Sequence, residues 1–142
     1  MGTDAHRAAA AEIGPIAVGV VTVSDSRTPD DDTNGRWLQE RIGAAGAVVS
    51  GYRVVRDEPD EVRAAVDALT ADARIVVVNG GTGVSRRDTT YDTLAAMLSR
   101  ATAGTYRGSV VVSVPGSPKA VALAWEKLIE PELAHLAWEV GR

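Results

Sequence analysis

The sequence predicts an α/β fold, a three-layer, doubly wound, mostly parallel sheet. Three short runs rich in β-branched residues, at 16–24, 74–81 and 109–116, are apolar on both alternating faces. Strands buried on both sides of a parallel sheet have this pattern. Stretches of helical period lie between them, so strand and helix alternate along the chain, which calls for right-handed crossovers.

Each element has its own signals. The first run closes at Ser24, and Leu38, Ile42 and Ala45 then form the apolar stripe of a first helix, with Asp32 or Thr33 as its N-cap and Gly46 as its stop. A fourth run, 47–55, is more polar and is interrupted by Gly51, as suits a strand nearer the sheet edge. Pro59, Asp60 and Glu61 open a second helix with acidic residues matched to its dipole, and Val62, Ala65, Val66 and Leu69 supply its stripe. A further helix is expected over 91–102, ending at Gly104. Ser117 and Pro118 suit the start of the last helix, whose stripe is Val121, Ala124, Trp125, Leu128 and Ile129. Residues 1–14 read as a loosely held arm and residues 15–142 as one domain.

Composition narrows the chemistry. The 142 residues are 45% apolar, enough for one real core, and 15 Lys and Arg against 19 Asp and Glu give a net charge of −4. That balance argues against a nucleic-acid partner met through a broad basic face. With no cysteine, thiol nucleophiles, iron-sulfur clusters and cysteine zinc sites are excluded. The two histidines, His6 and His135, lie near opposite ends of the chain, so a histidine-centred site is not expected. No segment approaches the roughly 18 apolar residues of a membrane span. Asp4 and Glu12 interrupt the stretch that a signal peptide would keep apolar, so cytoplasmic residence is expected.

In a doubly wound sheet, function gathers beyond the carboxyl ends of the strands. The polar and glycine-rich clusters fall there. Gly80, Gly81, Thr82 and Gly83 follow the third strand and permit positive φ and close backbone approach to an anion, or else simply a tight turn. The loop is neither a Walker motif nor a dinucleotide fingerprint. Arg86 and Arg87 come next and suit phosphate oxygens if they are not merely solvated. Asp57 and Asp88, each just past a strand end, could hold Mg²⁺ against substrate phosphates, or could cap the helices that follow. Ser24 and Asp25 end the first strand. Asp25 is weighed above the run Asp30, Asp31 and Asp32, which reads as solvated or capping. Pro115, Gly116, Ser117 and Lys119 form a helix start that is also a local anion site. Trp125 is expected in the core, while Trp37 and Trp138 fit either a buried helix face or a subunit contact.

Taken in order, VSDSRTPDDDTNG, VRDEPDE, GGTGVSRRDTT and PGSPKAVALAWEKLIEPEL resemble the MoaB/MogA family of molybdenum cofactor biosynthesis proteins, with the opening and closing motifs nearer the MoaB branch. The resemblance implies the molybdopterin-binding α/β fold, assembled as a homotrimer or as a hexamer of two trimers. It also implies adenylylation of molybdopterin by Mg-ATP, with release of pyrophosphate. Asp57 and Asp88 match the acidic positions tied to Mg²⁺ and catalysis, and Gly80, Gly81, Thr82 and Gly83 match the loop that holds nucleotide or pterin phosphate. Pro115, Gly116, Ser117 and Lys119 fall in the matching substrate region, and Ser24 and Asp25 in the first-strand motif. The alternative is a non-catalytic protein of the same fold that binds molybdopterin or nucleotide.

The chain also departs from the pattern. Asn79 stands where a threonine is common and Asp92 where a glutamate is usual. After Leu94 roughly two dozen residues of the family pattern are missing, far more than the trimming of a short loop. A continuous helix over 91–102 stands only if that deletion is genuine.

Overall fold

The computed structural model describes residues 14–81 and 103–141. In chain order these form β1 (Ala17–Val23), α1 (Thr33–Ala44), β2 (Val48–Val55), α2 (Pro59–Thr70), β3 (Ile75–Asn79), β4 (Ala103–Tyr106), β5 (Ser109–Val114), α3 (Pro118–Ala124) and α4 (Leu133–Gly141). A π-helical turn, Trp125–Ile129, and a 3-10 turn, Glu130–Glu132, join α3 to α4. The strands make one sheet in the order β2-β1-β3-β5-β4, with β2, β1, β3 and β5 parallel and β4 antiparallel to β5.

The doubly apolar strands divide their side chains between two cores. Val18, Val20, Ile75, Val77, Val110 and Val114 face Leu38 and Ile42 of α1 and Val121, Trp125, Ile129, Leu133 and Ala137 of the C-terminal helices. Val21, Val23, Val76, Val78 and Val111 face Val62, Ala65, Val66 and Leu69 of α2. This is the three-layer arrangement read from the period-2 alternation. β2 is an edge strand, as its polar character predicts. Its Gly51 and the facing Gly19 leave room for Leu69: a Cβ on Gly19 would lie 3.1 Å from Leu69 Cδ1, and one on Gly51 would run into Cδ2. The parallel register slips at this point, between Val18 and Gly19.

Several helix signals hold. Asp32 caps α1 by accepting a hydrogen bond from Gly35 N at 3.0 Å, Gly46 takes a φ of +82° just past the helix, and Ser117 caps α3. Glu58, rather than Asp57, occupies the N-cap position of α2, with Pro59 following it.

Four expectations need correction. Ala45 lies beyond the end of α1 and is exposed, because the helix closes one residue earlier. Gly104 does not end a helix but lies within β4; the expected helix over 91–102 itself lies outside the described residues. β4 escapes a reading based on β-branched runs because its sequence is only Ala-Gly-Thr-Tyr, and its turn is Arg107-Gly108, both at positive φ, rather than Asn-Gly. The last helix is not continuous. Pro131 cannot donate to the Lys127 carbonyl, and the backbone widens so that Glu130 N bonds Trp125 O before tightening again at Leu133. Trp125 and Ile129 stay buried, but Leu128 is turned out of the stripe and is 67% exposed.

Candidate functional site

The carboxyl ends of β1, β3 and β5 are stitched together by backbone. Gly80, at φ +95°, donates its N–H to Val114 O at 3.0 Å, and a Cβ on it would run into the Val23 carbonyl. Glycine is therefore required there on two grounds, conformation and space. Gly116 approaches from β5, and a Cβ on it would lie 3.1 Å from Gly80 Cα. The Gly80-Gly81 turn and the Pro115–Lys119 segment are thus adjacent, as the sequence implied. One role changes: the Gly80 amide is spent on the strand end rather than on a ligand.

On the other flank, Ser24 N bonds Val55 O at 2.9 Å, joining the ends of β1 and β2. Ser24 Oγ accepts from Ser26 N at 3.2 Å and Arg27 N at 3.0 Å, which uses both lone pairs and leaves the hydroxyl proton as a donor. Asp25 Oδ1 accepts from Asp57 N at 3.1 Å, so the two acidic residues singled out in separate loops meet. Asp25 is exposed, and Asp57 is 7% exposed. Ser117 Oγ accepts from Ala120 N at 3.1 Å as a cap, while Lys119 reaches solvent. Thr82, Gly83, Arg87 and Asp88 lie outside the described residues, so the pairing of Asp57 with Asp88 is not seen. Among the described residues, no group of three or more His, Asp or Glu is arranged to hold a metal ion.

Two carboxylates of the acidic run, those of Asp31 and Asp32, serve the loop and the helix cap, while Asp30 is exposed. Asp31 Oδ1 accepts from Thr28 N at 2.6 Å, closing the loop. Asp32 is fully buried and satisfied twice, by Gly35 N and by the Tyr52 hydroxyl, which donates to Oδ2 at 2.5 Å. Burial pushes the Tyr52 phenol well above its ordinary range, and the hydrogen bond and negative charge of Asp32 push it further. Gly35 is the residue that fits beneath this pair, since a Cβ would meet the Asp32 carboxylate and lie 2.7 Å from the Tyr52 ring.

Two buried amides at the site were not singled out as functional from sequence. Asn79, at the end of β3, donates to Val21 O at 3.2 Å and Thr22 Oγ1 at 3.0 Å. Asn34, in the first turn of α1, donates to Gly116 O at 2.7 Å and reaches Asn79 Oδ1 at 3.5 Å. The available signal was one polar side chain closing the otherwise apolar strand Ile75–Asn79. Trp125 is in the core as expected, Trp37 packs against the same core, and Trp138 stacks on His135 with centroids 6.4 Å apart.

On the far side of α3, an apolar groove of about 490 Å³ runs between β5 and the C-terminal helices, lined among others by Val112, Leu123, Leu128 and Leu136. Leu123 and Leu128 stand 60% and 67% exposed along it. No helix among the described residues is long and apolar enough to cross a membrane.

Comparison with known proteins agrees with the fold and loop order. Residues 19–135 match the family described as "Probable molybdopterin binding domain". Molybdenum cofactor biosynthesis protein B of Bacillus anthracis is 37% identical over 151 aligned residues, covering 87% of this chain and 89% of the relative. The protein of the same name from Bacillus subtilis is 34% identical over 170, covering 100% of this chain and 99% of the relative. A crystal structure of molybdenum cofactor biosynthesis protein B superposes with a TM-score of 0.84 at 35% identity, covering 90% of this chain and 97% of that one. Since the family model spans most of the domain and the similarity extends along nearly the full length of these relatives, the chain belongs to the molybdopterin-binding MoaB/MogA family, on its MoaB branch.

Proposed function

We propose that the chain acts in molybdenum cofactor biosynthesis as a molybdopterin adenylyltransferase. In this reaction the terminal phosphate oxygen of molybdopterin attacks the α-phosphorus of ATP. A new P–O–P bond forms, the bond between the α-phosphorus and the bridging oxygen breaks, and pyrophosphate leaves. The observation that carries the reading is the close apposition of the Gly80-Gly81 turn and the Pro115–Lys119 segment at the carboxyl end of the sheet. Two phosphate-bearing substrates need such a rigid, shared floor, and their reaction needs positioning and charge neutralisation rather than a thiol or imidazole.

The donors present suit this chemistry. The Ser24 hydroxyl proton remains a donor, and Ser117 and Lys119 reach solvent at the mouth of the crevice. Asp57 is held in place through its backbone by Asp25. Mg²⁺ fits a site of one or two carboxylates completed by water and phosphate oxygens. Asp57 and Asp88 would hold it, and Thr82, Gly83 and Arg87 would contact phosphate. The metal, when bound, would neutralise charge on the transferring phosphate.

Assembly as a homotrimer or a hexamer of two trimers is part of the same proposal. Its support is the apolar groove with Leu123 and Leu128 exposed beside it.

A binding protein without turnover is the second reading, and one observation favours it. The 151-position alignment uses 87% of the 142 residues, about 124 of them, so about 27 positions of the relative have no counterpart here. Incubation with ATP, Mg²⁺ and molybdopterin, followed by mass detection of the pterin product, separates the readings. Adenylylated molybdopterin is the expected product; pterin bound but unmodified would establish the second reading instead.

A further inference from the structure

Asn34 has a task that neither the helix cap nor the strand pairing requires. Asp32 already caps α1, yet Asn34 is held 7% exposed with its amide nitrogen turned inward. Its Nδ2 donates to Gly116 O at 2.7 Å and reaches Asn79 Oδ1 at 3.5 Å. The two partners belong to the bases of different loops, one entering the Gly80-Gly81 turn and the other within the Pro115–Lys119 segment. Asn79, 1% exposed, is itself fixed, because its nitrogen must face the Val21 carbonyl, which can only accept. Its oxygen is thereby committed to Asn34. A primary amide offers two N–H groups from one nitrogen, so a single rigid group spans both loop bases.

We propose that Asn34 is a positioning residue that sets the gap between the Gly80-Gly81 turn and the Pro115–Lys119 segment, and with it the alignment of the two phosphate-bearing substrates. The inference rests on the adenylyl-transfer reading above. Asn34→Asp is nearly isosteric but replaces the two donors with acceptors facing two acceptors, so it opens the clasp without creating a cavity. Asn34→Ala removes the donors without adding charge. Val62→Ala, in the opposite core, is the control for general loss of stability, since Val62 is a buried member of the cluster on the face of the sheet that α2 covers, whereas Asn34 lies in α1 on the other face.

Two readouts decide the matter on the full chain. Amide exchange is followed at Gly80, which donates to Val114 O, and at Ala120, which donates to Ser117 Oγ. Both Asn34 variants are expected to raise exchange there at least about tenfold, while Val62→Ala does not single out these amides. In the adenylylation assay both are expected to lower kcat about 10- to 100-fold, with KM for ATP and molybdopterin within about threefold, the effect of reactants held roughly an ångström out of line. Unchanged exchange at Gly80 and Ala120 overturns the clasp. Raised exchange with unchanged kcat overturns the alignment role. If the wild-type chain forms no adenylylated product, the adenylyl-transfer reading fails and the alignment role with it, while exchange still decides whether Asn34 joins the two loops.

Discussion

Gly116 packs over Gly80 so closely that a Cβ on Gly116 would lie 3.1 Å from the Gly80 Cα. Gly80 is the less replaceable of the two, since it also holds φ +95° and abuts the Val23 carbonyl. Gly80→Ala is expected to cost about 1–3 kcal/mol for the backbone conformation alone, with more for the clash. Gly116→Ala should cost less, because only a few tenths of an ångström of movement is needed. Urea denaturation of the two variants side by side tests the ranking.

Tyr52 and Asp32 give a pH-dependent test. Removing the phenol leaves a buried carboxylate short of one partner, so Tyr52→Phe should lower stability at neutral pH by about 1–3 kcal/mol. The folded-state pKa of Tyr52 is raised. Its contribution is therefore complete below the unfolded value of about 10 and is lost as pH rises above it, because only the folded form still keeps the proton. The stability difference between wild type and variant should shrink above pH ~10. A constant difference through pH ~11 in denaturant titrations would contradict this.

Leu128 is apolar where solvent should favour a polar residue. Leu128→Glu is expected to shift sedimentation from an oligomer toward the monomer, because burial of a charge at an interface costs several kcal/mol without a partner. The circular dichroism of the variant should stay close to wild type, since the side chain contributes little to the monomer core.

Asp57 should separate binding from chemistry. Asp57→Asn keeps the backbone N–H that bonds Asp25 but removes the carboxylate charge. A fall of about 100-fold or more in kcat, with molybdopterin affinity within about threefold, is the expected result. Asp88→Asn should behave in the same way, and chelation should abolish turnover until Mg²⁺ is restored. Equal losses of turnover and affinity would contradict a metal role.

Much of this was legible because it was carried by periodicity or by one residue's own chemistry. Val18, Val20 and Val21 announce a strand covered on both faces, and Ser117-Pro118 announces a helix start, since each depends only on neighbours in sequence. Leu128 departs from the predicted stripe because the consequence of Pro131 is felt one turn earlier, where the backbone widens and rotates the stripe. The bonds made by Asn34 and Asn79 are not legible in the sequence for another reason, although Asn79 itself stands out as a departure from the family pattern. Their partners lie 45, 57, 58 and 82 positions away, and no local pattern records a bond across that distance.

The antiparallel setting of β4 has a topological consequence. Because Ala103 pairs with Val112, and Asn79 with Val114, the chain leaves β3 and re-enters β4 at the same end of the sheet. The 21 residues between Gly81 and Ala103 therefore do not have to travel the length of the domain. Closing a connection of this kind costs only about 0.6 kcal/mol more for each doubling of its length. The scaffold can thus accept a long or a short insert at this point with its strands in register, so the length of this connection can vary while the frame of the sheet stays the same.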